Sequence, residues 1–428
     1  MDRPFRMLVA TTFRSLRHRD YRLYFVGQIV SFTGSWMQNA ALMWFVFDRT
    51  GNPLWPPLLL VAQVGPTLLL GTWGGSLADR TPKRRLILRT QTAFLLNACA
   101  LTALVGVGAA VPGAILALQL LNGAIQAVDL PARLAFVPDL VPRDDLINAV
   151  ALNSLLFNCA RAVGPAIAGW LFFVAQWLVQ SDSAPGWEKV SLGAVLCFGA
   201  NAVSYAAVLI ALSWIRTPGI RPPRSEPGST LDGWRYVRAN PMLTGLLLLT
   251  GGVCVFGWPA VSLFPAYTRL VLHLAETEYS QLVSGLGVGA LAGALATATF
   301  GSVARRGAFF TAGTVGVAAG LGGLAVAATL PLAVASAACL GFGMILFLST
   351  GQSTMQLSAT DDSRGRVMAL WAMTLSASAP VGHLLAGASA AAVGVTAVFA
   401  GMAAGATIVA AAALGITLAR GWKVDGRP

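Results

Sequence analysis

The sequence predicts an all-α integral membrane protein with twelve transmembrane helices in two six-helix halves. The first observation behind this is composition, since 56% of the 428 residues are apolar and only 11% are charged. Soluble domains carry about 25% charged residues, so the composition excludes a water-soluble globular protein. The second observation is a succession of long apolar runs, and the third is the uneven distribution of Lys and Arg.

Apolar runs separated by Gly, Pro and charged residues predict the individual spans. About 20 apolar residues cross a bilayer, so the chain has room for twelve spans and their loops. The predicted spans are 21–47, 54–77, 86–110, 112–135, 147–177, 190–214, 242–271, 279–303, 307–329, 331–356, 365–390 and 393–418.

The basic residues predict how these spans are oriented. If the N-terminus is cytoplasmic, all but four of the 29 Lys and Arg residues fall in cytoplasmic segments. The exceptions are Arg49, Arg161, Lys189 and Arg269. This asymmetry follows the positive-inside rule, so we expect a multi-pass protein of the bacterial inner membrane with cytoplasmic N- and C-termini. The same rule accounts for the net charge of +12, and we expect no nucleic-acid partner.

A polar, proline-rich stretch divides the chain into two halves. We predict an N-terminal six-helix bundle at 1–214, a cytoplasmic linker at 215–241 and a C-terminal six-helix bundle at 242–428. Two short patterns recur in the second half, because 75–80 resembles 301–306 and 144–145 resembles 361–362. Such a repeat is typical of transporters that alternate access to a site between their halves, near the bilayer midplane.

The reactive side chains indicate neither an enzyme nor a cofactor site. All five cysteines lie in apolar stretches, the three histidines are scattered, and no spacing fits a metal site. The sequence has no Gly-rich ATP-binding loop and no arrangement of nucleophile and base. We therefore expect no cofactor, no metal and no ATP-driven transport by this chain alone.

The loop after the second span carries the most specific motif, GSLADRTPKRR at 75–85. Gly75 permits close helix approach, and Asp79 is suited to accept from N–H groups at a neighbouring helix start. Arg80, Arg84 and Arg85 are suited to bind carboxylates or lipid phosphates. We interpret the motif as a conformational gate, and the alternative is a basic stop-transfer loop.

Three predicted spans carry polar side chains at helical spacing. Steps of three and four residues place each set on one helix face. The sets are Gln28, Ser31, Ser35 and Gln38 in the first span, Gln119, Asn122, Gln126, Asp129 and Arg133 in the fourth, and Ser154, Asn158 and Arg161 in the fifth. Polar groups in a membrane are usually functional or paired, so these faces predict a central cavity. The alternative is hydrogen bonding between helices.

Two charges lie deep within the predicted spans. Asp129 lies ~9 Å from the inner end of its helix and Arg161 ~21 Å from its own, too different in depth for a direct pair. We expect Asp129 to pair with Arg133 or Arg80 as a gate anchor, and a proton-carrying role is the alternative. Arg161 is expected to face a water-accessible cavity, and a structural tie to helix-end carbonyls is the alternative.

The second half offers fewer candidates. His383 is a group that could titrate near neutral pH, and a packed neutral histidine is the alternative. Aromatic rings suit large amphipathic substrates, and the candidate cavity residues of this half are Trp258, Tyr267, Gln352, Gln356 and Trp371.

The motif at 75–85 resembles the loop 2–3 signature of the major facilitator superfamily, which gates the cytoplasmic side in that family. Residues 160–169, ARAVGPAIAG, resemble the fifth-helix motif of its antiporters, in which a Gly-Pro pair, here Gly164 and Pro165, bends the helix. Ala160 and Ala168 stand where that motif prefers Gly. Arg305 stands where the first copy of the loop motif has Asp79.

Longer stretches resemble the enterobactin-exporter-like branch of this superfamily. They are the opening FRSLRHRDYRLYFVGQIVSFTGSWMQ, QAVDLPAR at 126–133, VPDLVP at 137–142, and NAVALNS at 148–154. The resemblance covers roughly residues 13–420 and implies export of siderophores, macrolides or other small molecules. Proton-coupled members often carry an Arg in the fourth helix, where this chain has Gln119.

The sequence thus predicts a secondary exporter of small amphipathic molecules, coupled to protons and working by alternating access. Its expected partners are a small-molecule substrate, protons and the lipid bilayer, and we expect a monomer. Two alternatives stay open at this point. One is an importer or lipid-like-substrate transporter of the same fold, and the other is a non-transporting membrane scaffold or sensor.

Overall fold

The computed structural model describes residues 13–179, 186–219, 230–300, 306–360 and 363–419, and all regular structure in these ranges is helical. The helices of the first half are α1 (Arg19–Thr50), α2 (Trp55–Arg80), α3 (Lys83–Gly106), α4 (Pro112–Leu140), α5 (Leu146–Leu178) and α6 (Gly186–Trp214). Those of the second half are α7 (Thr230–Ala239), α8 (Pro241–Gly257), α9 (Ala260–Leu270), α10 (Glu276–Phe300), α11 (Arg306–Val326), α12 (Leu330–Ser358), α13 (Arg364–Val393) and α14 (Val395–Ala419).

Most of these helices are suited to the interior of a bilayer. The described residues contain eleven helices that are long and apolar enough to cross a membrane, with α8 and α9 together forming one of them. The helix α1 has 32 residues and is therefore ~48 Å long, but its polar stripe lowers its hydropathy. Together with α1, the eleven helices occupy the positions of the twelve predicted spans, and the predicted all-α membrane class is confirmed.

The seventh predicted span, 242–271, is not one continuous helix. The helix α8 ends at Gly257 and α9 begins at Ala260, with Trp258 and Pro259 between them. Proline lacks the N–H needed for the helical hydrogen bond and clashes with the preceding turn, so it separates the two segments. Other prolines lie within helices, and packing against neighbouring helices makes this possible in a membrane. They are Pro66, Pro131, Pro138, Pro165, Pro265 and Pro380.

Contacts divide the chain into two compact units. Unit 1 comprises Met1–Phe45 and Ala62–Arg224, and unit 2 comprises Val46–Val61 and Ser225–Pro428. The second boundary falls within the predicted linker at 215–241. The end of α1 and the start of α2 belong by their contacts to unit 2, which the predicted division into 1–214 and 242–428 did not anticipate.

The predicted linker contains the helix α7. Its Tyr236 hydroxyl accepts a hydrogen bond from the backbone N–H of Thr360 at 3.4 Å. Hydrogen bonding from Ser363 and Thr360 lowers the pKa of this hydroxyl below its ordinary value. The contact fixes α7 to the segment that precedes α13.

Several predicted features lie outside the described residues. They include the second copy of the loop motif at 301–305, with Arg305, and the acidic pair at 361–362. The other predicted cytoplasmic basic residues outside the described ranges are Arg3, Arg6, Arg221, Arg224, Arg420, Lys423 and Arg427.

Glycines allow the helices of unit 2 to approach closely. Gly285, Gly289 and Gly293 lie four residues apart on α10 and face α12. A Cβ built on Gly293 would lie 2.6 Å from the carbonyl oxygen of Phe342, and one on Gly289 would overlap the carbonyl of Ala338. Small residues at such spacing are the usual means of packing membrane helices, because lipid supplies no hydrophobic force between them.

Polar contacts fasten the N-terminal segment of unit 1 to the start of α5. The backbone N–H of Ser15 donates to Asn148 Oδ1 at 3.0 Å, and the hydroxyl of Tyr21 donates to the carbonyl of Ala149 at 2.8 Å. The carboxylate of Asp145 forms ion pairs with Arg14 and, at 2.7 Å, with His18 Nε2 when that ring is protonated. These contacts fix the start of α1, which carries the first polar stripe.

Candidate substrate cavity

A cavity of about 320 Å³ lies within unit 1 and receives side chains from all six of its long helices. Its walls combine aromatic rings with amide and hydroxyl groups and one guanidinium. The lining residues are Ser31, Phe32, Ser35, Trp36, Asn39, Gln63, Val64, Thr67, Gln91, Phe94, Gln126, Leu130, Arg133, Phe157 and Tyr205. A small amphipathic molecule would find both apolar surface and hydrogen-bonding groups here.

The predicted polar stripes divide between the cavity and the helix interfaces. Ser31, Ser35, Gln126 and Arg133 line the cavity. Among the other stripe residues, the buried amides are Gln28, Gln38, Gln119 and Asn122, and the buried charged residues are Asp129 and Arg161.

Three of these four amides bond to neighbouring helices. Gln28 Oε1 accepts from Arg133 at 2.9 Å, and Gln38 Oε1 accepts from Asn201 at 2.8 Å. Asn122 Oδ1 accepts from Gln63 at 3.4 Å. Both interpretations of the stripes therefore apply, each to a different subset of residues.

A buried ion pair stands at the cavity wall. Arg133 Nε lies 2.6 Å from Asp129 Oδ2, and Asp129 is fully buried. The other carboxylate oxygen, Oδ1, accepts hydrogen bonds from Thr90 at 2.6 Å and from Gln91 at 3.1 Å. Of the two predicted partners of Asp129, the structure selects Arg133, one helical turn away on α4. The cation is thus held by Asp129 on one side while its guanidinium still reaches the cavity.

Aromatic rings form a continuous part of the wall. Phe157 lies edge-on to Phe32 and to Trp36, with both centroid distances at 5.7 Å. Phe94 stacks on Tyr205 at 5.4 Å, and the Tyr205 hydroxyl hydrogen-bonds Ser35 at 3.1 Å. These rings are already packed against each other, so the wall is formed before any ligand enters.

Arg161 does not line this cavity, in contrast to its predicted water-accessible position. Its side chain is buried, and its residue is only 4% exposed. Its Nη2 donates to Asn158 Oδ1 at 2.9 Å, and its guanidinium lies 5.7 Å from the Trp36 ring and 5.8 Å from the Phe157 ring. Aromatic faces attract cations, so they replace part of the lost hydration. Arg161 is therefore a support behind the aromatic wall.

Gly164, the glycine of the Gly-Pro pair of α5, packs against Trp36 of the same aromatic wall. A Cβ built on Gly164 would lie 2.7 Å from Trp36 Cβ and 2.9 Å from the backbone nitrogen of Met37, so only glycine permits this approach of α5 to α1. Pro165 is buried and lies within α5, which continues from Leu146 to Leu178. The bending role of this pair stays a prediction.

The loop motif at 75–85 differs from its predicted geometry at the glycine. A Cβ on Gly75 would meet nothing within 4 Å, whereas one on Gly74 would overlap the carbonyl group of Ala127 on α4. Gly74 is therefore the close-approach residue, because helix rotation presents it and not its neighbour to α4. Asp79 and Arg80 are exposed and form no ion pair with a described residue.

The basic residues of the motif contact the end of α6 and the segment after it. Arg84 donates from Nε to the carbonyl of Leu212 and from Nη2 to that of Ser213, both at 2.9 Å. Lys83 donates to the carbonyl of Gly219 at 3.1 Å and lies 3.5 Å from Asp139. Cations at a helix C-terminus are favoured by the helix dipole. Arg85 is exposed, and its binding of carboxylates or lipid phosphates stays a prediction.

Comparison with known proteins identifies the family of this chain. The model of the transmembrane secretion effector family matches residues 10–426. The chain belongs to this family. It is a family of major facilitator transporters, so the superfamily that the motifs predicted is confirmed.

Curated relatives of this chain are siderophore transporters. It is 27% identical to the enterobactin exporter of Shigella boydii serotype 18 over 366 residues, 83% of this chain and 81% of that protein. It is 32% identical to the staphyloferrin A transporter of Staphylococcus aureus over 154 residues, which cover 36% of this chain and only 39% of that protein. The predicted resemblance to enterobactin exporters is confirmed.

Solved structures share the fold of this chain. The nucleoside transporter NupG superposes with a TM-score of 0.73 at 11% identity, covering 93% of this chain and 98% of the other. A bacterial homologue of the lysosomal transporter Spinster gives a TM-score of 0.69 at 15% identity, covering 93% and 96%. At these identities the likeness establishes the fold alone.

The candidate residues of unit 2 separate into exposed and packed ones. Gln352 and Gln356 are exposed on α12. Trp371 is 2% exposed, and a Cβ on Gly351 would lie 2.7 Å from its ring, so it belongs to the packed interior and not to a cavity. Tyr267 is likewise fully buried and donates to the carbonyl of Ala327 at 3.0 Å. Trp258 is half-buried at the break between α8 and α9.

Sequence reasoning missed the polar residues that the fold brings to the cavity from α2, α3 and α6. Gln63 and Thr67 lie four residues apart on α2, which was a usable signal. Thr90 and Gln91 gave no such signal in the sequence. They lie near the basic start of α3, and polar residues close to a loop are expected whether or not they have a function. No group of three His, Cys, Asp or Glu residues in the described part of the chain could hold a metal.

Proposed function

We propose that this chain is a proton-coupled secondary exporter of small amphipathic molecules of the siderophore, antibiotic or drug-like class. It works by alternating access in the bacterial inner membrane, with both termini in the cytoplasm, and functions as a monomer. The single observation that carries the proposal is the cavity of about 320 Å³ in unit 1, with its aromatic wall and its amide groups.

The chemistry of the cavity supports a substrate of this class. Ligand sites of about 300–1,000 Å³ are typical for small molecules, so this volume suits one small ligand or one arm of a larger one. Rings from Phe32, Trp36 and Phe94 offer flat apolar surface. Gln63, Gln126 and other polar groups offer donors and acceptors that orient a ligand by its hydroxyl, carbonyl or amide groups.

The relatives support the direction of transport. The family is described as a secretion effector, and the relative that matches most of this chain is an enterobactin exporter. The staphyloferrin A transporter adds a second siderophore to this group. Export of a small secreted metabolite is therefore the direction that we propose.

In this proposal Asp129 is a gate anchor and not the proton carrier. Its carboxylate is fully buried and engages Arg133, Thr90 and Gln91 at once, which ties α3 to α4 beside the cavity. The exposed Asp79 and Arg80 at the end of α2 are available for contacts that change during the transport cycle. The motif at 75–85 then controls conformation and does not touch the substrate.

Efflux from cells tests the proposal. Bacteria expressing the chain are loaded with a fluorescent aromatic amphiphile or with enterobactin, and loss of the compound is followed with and without a proton uncoupler. We expect efflux that the uncoupler abolishes. Accumulation instead of efflux would show an importer, and efflux unaffected by the uncoupler would remove proton coupling.

A matched pair of variants links efflux to the cavity. Gln126→Leu removes a polar group from the cavity wall and should weaken efflux about tenfold, the effect of losing ~1.4 kcal/mol of binding. Leu121→Ala alters a residue of the same helix that is 50% exposed and does not line the cavity, and it should leave efflux unchanged. Equal effects of the two variants would detach transport from this cavity.

A further inference from the structure

A histidine is buried in the middle of α13. His383 is 5% exposed and lies ten residues from Val393, where α13 ends, which corresponds to a depth of ~15 Å along the helix. Its Nδ1 lies 3.0 Å from the hydroxyl of Ser262 on α9, a residue that is fully buried.

The hydroxyl of Ser262 holds the ring of His383 in place. It lies 2.7 Å from the carbonyl oxygen of Pro259 and 3.0 Å from Nδ1 of His383. When the Ser262 proton goes to Pro259, the Nδ1–H of His383 donates to the Ser262 oxygen and the lone pair is on Nε2. Nε2 makes no hydrogen bond with a described residue, so the ring presents a neutral nitrogen that can take up a proton.

His383 lies against the break between α8 and α9. A Cβ built on the neighbouring Gly382 would lie 2.5 Å from the carbonyl oxygen of Val255 and 2.8 Å from Pro259 Cγ. The backbone of α13 is thus close to the end of α8 and to the break itself, and His383 bonds to the first turn of α9. A break with separate helical segments on either side is a place where a helix can hinge.

One turn further along the same face, α13 packs against the end of α1 and the start of α2. A Cβ on Gly387 would lie 2.8 Å from Pro57 Cγ and 3.2 Å from Leu54 Cδ1. Both residues belong to 46–61, the segment that clusters with unit 2. His383 and this contact are four residues apart and therefore share one face of α13.

No described side chain is bonded to His383 as a counter-charge. The other charged or titratable side chains described on α13 and on the elements packed against it are Asp48 and Arg49 in 46–61, Arg235, Tyr236 and Arg238 on α7, Cys254 on α8, Tyr267 and Arg269 on α9, Cys339 on α12, and Arg364 and Arg366 on α13. The hydrogen bond of His383 within this set of elements goes to Ser262. An imidazolium in this position would be a buried charge without a carboxylate partner, which is unfavourable.

We infer that His383 is a proton-binding site, and that proton uptake there opens the packing of α9 and residues 46–61 on α13. Protonation favours an arrangement in which water reaches Nε2, and the close contact at Gly387 lies on the path by which water would enter. The inference goes beyond the proposed function because it names a proton site in unit 2. It rests on the proposed function in one respect, namely that the bound proton is the ion that drives export.

Two measurements on the purified protein, without any substrate, test this inference. In the first, the five native cysteines are replaced, Leu54→Cys is labelled with bimane, and its quenching by iodide is measured from pH 8 to about pH 4. We expect quenching to rise at least about threefold at the acid end of this range, because burial without a counter-charge disfavours the imidazolium until the packing opens. The same labelled protein carrying His383→Gln should keep the low quenching of pH 8 throughout.

The exposed His273 provides a matched control, since it lies in the segment between α9 and α10. His273→Asn introduces an amide side chain that tolerates the positive φ of 56° there, and it should leave the pH response intact. An unchanged pH response in His383→Gln, or its loss in His273→Asn, overturns the inference.

The second measurement does not depend on the fold of a variant. The chain has three histidines, so isotope labelling of histidine gives three sets of ring resonances, and His383→Gln assigns one of them. We expect the His383 resonance to titrate over the pH range of the iodide response. If His383 stays neutral from pH 8 to about pH 4, it binds no proton and the inference fails. Neither measurement requires export, so each tests proton binding at His383 even if the proposed export function is wrong.

Discussion

Unit 1 and unit 2 bury different kinds of side chain. Among the described residues, unit 1 buries five charged ones: Lys83, Asp129, Arg133, Asp145 and Arg161. In unit 2 the buried charged residue is Glu276, and His383 is the buried titratable ring of α13. Unit 2 instead packs its helices through glycines, as in α10 against α12. The difference indicates that recognition chemistry is concentrated in unit 1, and that unit 2 is built for close helix packing.

The largest effect is expected at the ion pair of unit 1. Asp129→Leu leaves Arg133 buried without its counter-charge and removes the acceptor of Thr90 and Gln91. Breaking a buried pair from one side costs about 3–5 kcal/mol of unfolding free energy. Denaturant unfolding in detergent measures this loss. The double variant Asp129→Leu with Arg133→Met removes both charges and should recover most of it, and equal instability of single and double variants would contradict the explanation.

The milder variant Asp129→Asn tests whether Asp129 anchors the gate or carries the coupling proton. We expect slower substrate exchange with a retained dependence on the pH gradient, because the anchor is weakened while the coupling group is elsewhere. Reconstituted vesicles with and without a gradient measure both quantities. Complete loss of gradient dependence with normal exchange would identify Asp129 as the proton carrier.

A pair of aromatic truncations compares the two units directly. Phe94→Ala removes a ring that lines the cavity of unit 1, and Trp371→Ala removes a ring from the packed interior of unit 2. Each should cost about 3–5 kcal/mol of stability, the usual result of deleting a buried ring. Only Phe94→Ala should also weaken ligand binding, measured by calorimetry on folded protein. An equal loss of affinity in Trp371→Ala would break the proposed division of roles.

Substitutions at the adjacent glycines Gly74 and Gly75 of α2 test which of them permits the close approach to α4. Gly74→Val forces a side chain into the carbonyl of Ala127 and should cost about 1–3 kcal/mol of stability, as overpacking does. Gly75→Ala enters open space within the helix and should stabilise the protein by roughly 0.5–1 kcal/mol. Thermal unfolding of the two variants gives opposite signs if Gly74 is the close-approach residue. The reverse pattern would restore the role that the motif alone assigned to Gly75.

A moderate effect is expected at the cation behind the aromatic wall. Arg161→Gln removes two cation–π contacts, with Trp36 and Phe157, worth about 0.5–1 kcal/mol each. Looser rings should weaken ligand affinity about 5–30-fold, the equivalent of ~1–2 kcal/mol. Ligand-induced quenching of tryptophan fluorescence measures it. The exposed Arg143→Gln is the control, and an affinity unchanged from wild type in Arg161→Gln would show that the wall does not depend on this cation.

The fold followed from the sequence to a large extent because hydropathy alone determines membrane spans. The break in the seventh span did not, since proline at 259 separates two helices whereas proline at 131 lies within one. The residues packed around each proline therefore decide whether the helix ends there, and the presence of proline alone does not.

The site was only partly predictable. Helical spacing made Arg133 one of two expected partners of Asp129, since residues four apart lie on one helix face, and the structure shows this pair. It could not show that Arg161 lies behind Trp36 and Phe157, because which helices flank α5 is a tertiary fact. Nor could it separate Gly74 from Gly75, which differ only in the direction that each presents to α4.

The smallest effect on stability and affinity is expected at Asp79. This residue is exposed, so Asp79→Ala should change the unfolding free energy by no more than about 0.5 kcal/mol. Because the cavity of unit 1 does not include it, ligand affinity should stay within about threefold of wild type, less than 1.4 kcal/mol. The rate of substrate exchange should nevertheless fall, since we propose that the loop motif controls conformation. Binding and exchange measured on one preparation decide the matter, with the exposed Asp144→Ala as control. A large loss of affinity with normal turnover would place the motif at the substrate and not at the gate.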